Sequence, residues 1–219
     1  MGKNVKKIAL LNLPVDENFG GHLQRYALME VMRSLGVDVV HLNCRFIYTR
    51  RTPYKRLRCY VGETLRFIKA LLLGKRNIHD FPYLPYILNR EPNTERFYSR
   101  YIPRTKRIYS KEELMLHKEY DAYLVGSDQV WRAPMVPSYG IDTYFFDYLP
   151  EEKKRYAYGV SLGTNEKEYT DEEIARLAPM YKAFEMVSVR ERVAAEMFDE
   201  YGWKEPKAEC VIDPTLLLG

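Results

Sequence analysis

Short contiguous apolar runs alternate along this chain with stretches in which apolar residues recur every three or four positions. The first run, Val5 to Leu13 (VKKIALLNL), is rich in Ile and Leu and is closed by Pro14, the pattern of a buried strand. Asp16 to Gly21 then reads as a turn. From His22 to Leu35 the apolar residues Leu23, Tyr26, Ala27, Val31 and Leu35 follow a helical period, and Gly36 sits where a C-terminal cap belongs. Val37 to Leu42 is the next strand. Strand, helix and strand in that order form a βαβ unit, which favours a parallel sheet with right-handed crossovers.

The same alternation returns in the second half. Asp121 to Val125, Arg155 to Val160, Met186 to Val189 and Glu209 to Ile212 read as strands, with helices over Asp171 to Phe184 and from Arg192 to Tyr201. The middle is less regular. Tyr60 to Leu73 predicts a helix with Val61, Leu65, Ile68 and Leu72 on one face. Ile78 to Pro103 carries four prolines and predicts a loop-rich excursion with one short helix near Thr94 to Tyr101. The expectation is one doubly wound α/β domain over residues 1–219, with a mostly parallel sheet and a helical, loop-rich excursion at about 45–110.

Composition narrows the class. With 46% hydrophobic and 29% charged residues the chain belongs with ordinary folded proteins and not with disordered or fibrous ones. Cys44, Cys59 and Cys210 are odd in number and far apart, which argues against a disulfide framework and a structural zinc site and fits a reducing cytoplasm. No apolar stretch approaches the ~20 residues that span a bilayer, and the run Ile8 to Leu11 is too short for a signal peptide. The expected location is cytoplasmic, peripheral to the inner membrane face. Charge is uneven: Arg45 to Arg76 holds ten basic residues against one acid, Glu63, while the whole chain is only +4. Such a block attracts polyanions, a phosphorylated substrate or an anionic membrane surface, which makes residues 45–76 a candidate lipid contact.

The polar and glycine-rich clusters fall where the strands end. Asn18 to Gly21, Gly126 to Gln129, Ser161 to Thr164, Arg190 to Arg192 and Asp213 all follow a strand at its carboxyl end, the edge at which parallel α/β sheets bind ligands. Each cluster alone also has a plain structural reading: a tight turn at Gly20-Gly21, an N-cap at Ser127 or Asp128, an ion pair of Arg190 with Glu191, a turn start at Asp213. His22 reads as a surface or packing residue. The G-x-G-x-x-G, P-loop, G-x-S-x-G and H-E-x-x-H patterns are absent, which removes the standard dinucleotide, P-loop, α/β-hydrolase and zincin readings.

Taken in order, these clusters resemble the polysaccharide pyruvyl transferase family. The first block is Asn18-Phe19-Gly20-Gly21-His22-Leu23-Gln24-Arg25-Tyr26-Ala27-Leu28. The most specific is Tyr120 to Trp131 (YDAYLVGSDQVW), followed by Tyr156 to Gly163, Val187 to Glu191, and Val211 to Leu218 (VIDPTLLL). The resemblance implies a Rossmann-like sheet similar to the N-terminal domain of a B-type glycosyltransferase. It implies a transferase moving pyruvate from phosphoenolpyruvate onto two hydroxyls of a sugar as a cyclic ketal, in bacterial exopolysaccharide or other cell-surface glycan biosynthesis. Phosphoenolpyruvate is then a substrate, and no cofactor or metal is implied.

For that reaction Asp128 is the candidate catalytic carboxylate, orienting the acceptor sugar rather than transferring a proton. Substrate contacts would come from Asn18, Gly20, Gly21, Gln24, Gly126, Ser127, Gln129, Trp131, Ser161, Gly163, Arg190 and Glu191. Arg132 stands where the family usually has asparagine. The match covers the N-terminal half of the family's pattern, so the second domain is expected to be absent, and a second domain or a homo-oligomer would complete the site. The expected partner is a sugar or lipid-linked glycan acceptor, not nucleic acid. Two other readings stay open: a non-catalytic sugar-binding remnant or half-enzyme, and a glycosyltransferase-like enzyme using a nucleotide sugar.

Overall fold

Six strands hydrogen-bond into one sheet in the order β2-β1-β3-β4-β5-β6, every neighbouring pair parallel. They are β1 (Lys7–Leu11), β2 (Asp38–His41), β3 (Ala122–Asp128), β4 (Lys154–Val160), β5 (Met186–Val189) and β6 (Ala208–Cys210). The computed structural model describes residues 7–14, 19–44, 53–74, 94–136 and 140–218. Its chain divides into two compact units, Met1–Ile47 with Ile102–Gly219, and Tyr48–Tyr101.

The first unit holds the sheet. Helix α1 (Phe19–Ser34) connects β1 to β2, and the chain then crosses back so that β3 pairs with the other side of β1. The strand order therefore reverses at the β1–β3 junction, the switch point at which doubly wound sheets open a crevice. The doubly wound α/β expectation is met. β1 is buried at four of its five positions and β3 at six of seven, as expected of strands covered on both faces. Residues 102–108 run along the free edge of β2, through isolated bridges His41 to Arg104 and Cys44 to Ile108.

The second unit contains α2 (Pro53–Leu72) and α3 (residues 94–101). Pro53 takes the first position of α2, where its missing N–H costs nothing. The helix thus starts about two turns before the Tyr60 suggested by apolar spacing. Phe67 and Tyr98 are buried, whereas Val61, Leu65, Ile68 and Leu72 are exposed. The expected loop-rich stretch at 78–93 lies outside the described residues. No described helix is long and apolar enough to cross a membrane.

Three further helices belong to the first unit. Short helix α4 (Lys111–Leu114) is capped by Ser110. Helix α5 (Asp171–Lys182) starts in a capping box, with Thr170 accepting from the Glu173 N–H and the Glu173 carboxylate accepting from the Thr170 N–H. Helix α6 (Arg192–Glu200) follows β5.

Several boundaries in this unit differ from the sequence reading. α1 begins at Phe19 and not at His22, because Gly20 and Gly21 take helical backbone and form its first turn. β3 continues through Gly126, Ser127 and Asp128, which the sequence suggested as a loop; Gly126 pairs with Tyr158 and Asp128 with Val160. β6 is shorter than expected and ends at Cys210. Gly36, at φ +80°, closes α1 as anticipated.

One aromatic cluster fills the side of the core beneath β3, α5 and α6. Trp131 is fully buried, stacks on Phe145 at 4.4 Å between ring centroids, and donates its indole N–H to the Tyr144 carbonyl at 3.0 Å. Phe184 and Phe198 pack edge-on or tilted against it at 5.3 and 5.7 Å. Tyr144 and Phe145 come from a short 3₁₀ segment, Ile141–Phe145, whose buried aromatics carry no helical or strand period.

Candidate active site

The carboxyl ends of β1, β3, β4, β5 and the segment after β6 converge on one set of polar side chains. At the switch point, Asn12, just past β1, donates to the Gly126 carbonyl in β3. Arg25 on α1 locks that asparagine by donating to its Oδ1 at 3.1 Å and to the Leu13 carbonyl at 2.8 Å. Both side chains are buried, so they frame the crevice and do not line it. The sequence reading passed over both.

β3 delivers Gly126, Ser127 and Asp128 in an unusual backbone. Gly126 has φ +116°, and a Cβ there would lie 2.1 Å from the Tyr158 carbonyl oxygen, so only glycine lets β4 approach. Asp128 has φ +129°, a conformation that side-chain-bearing residues rarely adopt. Its carbonyl accepts from the Val130 N–H at 2.8 Å and the Ser161 N–H at 3.0 Å, and its carboxylate accepts from the Gln129 N–H at 2.8 Å. These bonds hold the strained residue in place.

Arg190, just after β5, sits among three carboxylates. Its guanidinium donates to Asp213 at 2.9 Å and lies 3.9 Å from Asp128 and 3.8 Å from Glu191. Asp213 also accepts from Gln24 of α1 at 2.7 Å, and its other oxygen accepts from the Thr215 N–H and hydroxyl at 3.0 and 2.6 Å. Burial pushes the Asp213 carboxyl up, but the bonds from Thr215, Arg190 and Gln24 outweigh it and hold the group below the ordinary aspartate range. Glu191 accepts from the Ser161 hydroxyl at 2.9 Å. Gly159, at φ +57° beside the irregularity between β4 and β5, leaves room for both Ser127 and Arg190: a Cβ there would meet each at about van der Waals distance, 3.4 and 3.5 Å.

The network is incomplete. The Ser127 hydroxyl, the Arg190 Nε and the Glu191 Oε2 are buried without a hydrogen-bond partner among the described residues. A buried polar atom without a partner costs about 1–3 kcal/mol, so three of them together make this crevice the candidate place for a polar ligand.

Most residues suggested by the sequence come together here. Ser127, Asp128, Arg190, Glu191, Ser161 and Gln24 share this network. Gly126 forms the wall under it. Gln129 packs against Gly163, whose φ of +63° places its Cα hydrogens on the Gln129 amide. Gly20 and Gly21 lie in the first turn of α1, one turn before Gln24. Asn18 lies outside the described residues. Trp131 is fully buried with its indole N–H satisfied, and it supports β3 from the core. His22 is buried beside Phe19, consistent with a packing role. Arg132, the departure from the family's usual asparagine, makes a two-pronged pair with Glu168 at 2.8–3.2 Å and so ties the chain after β3 to the segment leading into α5. Asp213, seen in the sequence as a turn start, is the hub that joins α1 to the β5 loop.

The family model described as "Polysaccharide pyruvyl transferase" matches residues 18–219. The chain belongs to that family. As a pyruvyl transferase family member it is a transferase, and its acceptor is a glycan. No curated protein and no solved structure matches it. The matched region includes Gln24, Ser127, Asp128, Ser161, Arg190, Glu191 and Asp213 of the crevice, while Asn12, which frames it, precedes the match.

Proposed function

We infer that this protein transfers the pyruvyl group of phosphoenolpyruvate to two hydroxyls of a sugar, and that the crevice at the ends of β1 and β3–β6 holds the acceptor. The observation that carries this reading is the composition of the crevice: three carboxylates, Asp128, Glu191 and Asp213, around a single guanidinium, Arg190. Such a set repels a multiply charged phosphate ester and suits neutral hydroxyls, which both donate and accept. The unpaired Ser127 hydroxyl and Glu191 Oε2 supply one donor-acceptor and one acceptor for them.

The chemistry assigns the steps. A proton adds to the methylene carbon of the enol, and the first sugar oxygen bonds to C2. The second sugar oxygen then displaces phosphate at C2, which leaves with a proton and completes a cyclic ketal bearing a methyl and a carboxylate. Each hydroxyl must lose its proton as it attacks, so an oriented carboxylate acceptor helps. Asp128, held at a fixed angle by its own backbone bonds, orients the acceptor and accepts that hydrogen bond. Arg190, with Thr215 and Gln24, holds the Asp213 carboxyl below the ordinary aspartate range. The donor's phosphate needs cations beyond this set. The cytosol, where phosphoenolpyruvate is made, is the proposed setting.

The test is phosphate release from phosphoenolpyruvate by the purified protein, measured against a panel of glycosides with neighbouring or 4,6-related hydroxyl pairs. The product is identified by the ketal methyl signal in NMR. Acceptor-dependent release, lost in Asp128→Asn, supports the reading. Stabilisation against heat by nucleotide sugars but not by phosphoenolpyruvate would replace it with a glycosyltransferase. Heat stabilisation by glycosides, with no turnover of either donor, would replace it with a sugar-binding role.

A further inference from the structure

We propose that α2 is an interfacial helix that lays its exposed apolar stripe on an anionic phospholipid surface. This goes beyond the transfer reaction and stands on different residues. Val61, Leu65, Ile68 and Leu72 recur at four, three and four along α2 and are 47%, 61%, 44% and 81% exposed. Leu71 and Leu73 widen the exposed end at 36% and 58%. Phe67, on another side of the helix, is 4% exposed, so α2 already has a buried side and the stripe is a second one, exposed among the described residues. Scattered exposed leucines are ordinary; a continuous stripe along one helix face marks a surface that something covers.

Charge identifies what covers it. Along α2 the sequence holds Lys55, Arg56, Arg58, Arg66 and Lys69 against one acid, Glu63, and the exposed Lys69 falls roughly 70° from the stripe's midline at about 100° per residue. Glu63 is also the single acid in the sequence between Arg45 and Arg76. An apolar stripe on a strongly cationic helix is the composition of a helix lying in the headgroup region with its apolar side buried about 5–10 Å. A second copy of the chain would bring an equally cationic helix against the first, which disfavours self-association through this face. A zwitterionic surface would leave the cations without partners. An anionic leaflet satisfies both parts, each nearby cation strengthening partition by about fivefold. Because no described helix can cross a bilayer, α2 lies on the surface.

The experiment is vesicle co-sedimentation of the full chain. Vesicles of phosphatidylcholine alone are compared with vesicles containing phosphatidylglycerol, at about 0.05 M and about 0.5 M salt, across which screening shortens severalfold. The expected result is binding to the phosphatidylglycerol vesicles at low salt, weakened by about tenfold at high salt. Leu65→Glu with Leu72→Glu lowers binding by at least about tenfold, because two side chains no longer enter the apolar layer. The melting temperature stays unchanged, since both side chains are already exposed. Lys69→Glu lowers binding by at least about fivefold. Equal binding to both vesicle types, no binding at low salt, or binding that survives the double substitution overturns the proposal. So does a concentration-dependent dimer, seen by light scattering, that the double substitution dissolves.

Discussion

Replacing Arg190 by glutamine removes the single guanidinium that the crevice sets against Asp128, Glu191 and Asp213 and leaves a shorter, neutral polar side chain. The strongest interaction it abolishes is the charge-assisted bond to Asp213 at 2.9 Å. Bonds of this kind contribute about 1.5–3 kcal/mol, and at an effective dielectric of ~20 the bare attraction at that distance would be about 6 kcal/mol, an upper bound. Both side chains keep about a fifth of their surface in water, 20% and 21%, which places the loss near the lower figure, about 2 kcal/mol. The pH dependence sharpens the test. Asp213 is held below the ordinary aspartate range, so it contributes stability that is fully present above its unfolded value near 4 and is lost as pH falls through its folded value. In Arg190→Gln burial still pushes that carboxyl up while one of the bonds opposing it is gone. The destabilisation should therefore be full above about pH 5 and shrink as pH falls toward about 3. Urea unfolding of both proteins at several pH values measures it. A loss below about 0.5 kcal/mol at neutral pH, or one that does not change with pH, would refute the account of Asp213 as the hub.

Gly126→Ala should destabilise by more than about 3 kcal/mol, because the new Cβ would sit 2.1 Å from a backbone oxygen that cannot swing away and the residue would be trapped at positive φ; denaturant melts check this, and a change under about 1 kcal/mol would show that β4 can retreat. Trp131→Ala should cost about 3–5 kcal/mol by opening the aromatic cluster and orphaning the Tyr144 carbonyl, lowering the melting temperature by roughly 10 °C. If that variant instead melts normally and loses acceptor affinity, Trp131 is a ligand contact after all.

The sheet was legible because parallel strands covered on both faces are written as contiguous apolar runs, and Ile8 to Leu11 and Tyr123 to Val125 have that form. What escaped is physically different. Gly126, Ser127 and Asp128 carry no apolar signal, and they remain in β3 only because a glycine lets β4 close on them. The start of α1 was misplaced because two adjacent glycines read as a turn, while nothing in a glycine prevents helical backbone once the next turns are packed. The site residues could be gathered by their common position after strands. Their pairings could not: Gln24 reaches Asp213 across 189 positions, and no local pattern encodes that distance. The sequence block around Trp131 also mixes two duties, since its aspartate faces the crevice while its tryptophan props the strand from the core.

Asp128 shows the tension between fold and chemistry most directly. At φ +129° a Cβ is unfavourable by about 1–3 kcal/mol, and glycine would relieve it. The bonds from Val130, Ser161 and Gln129 hold the residue there regardless. The usual order of substitutions should then invert. In ordinary backbone, glycine is less stable than alanine by about 0.5–1 kcal/mol through its unfolded-state freedom. Both Asp128→Gly and Asp128→Ala lose the carboxylate and its bond to the Gln129 N–H, so they differ only in the Cβ. Subtracting the entropy term from the strain term leaves Asp128→Gly more stable than Asp128→Ala by about 1 kcal/mol, and by up to about 2.5 kcal/mol at the upper end of the strain. Neither should retain acceptor-dependent phosphate release. Paired urea melts decide the point: alanine equal to or more stable than glycine would mean that position 128 is not strained. An aspartate in an ordinary backbone would then need no function to explain it.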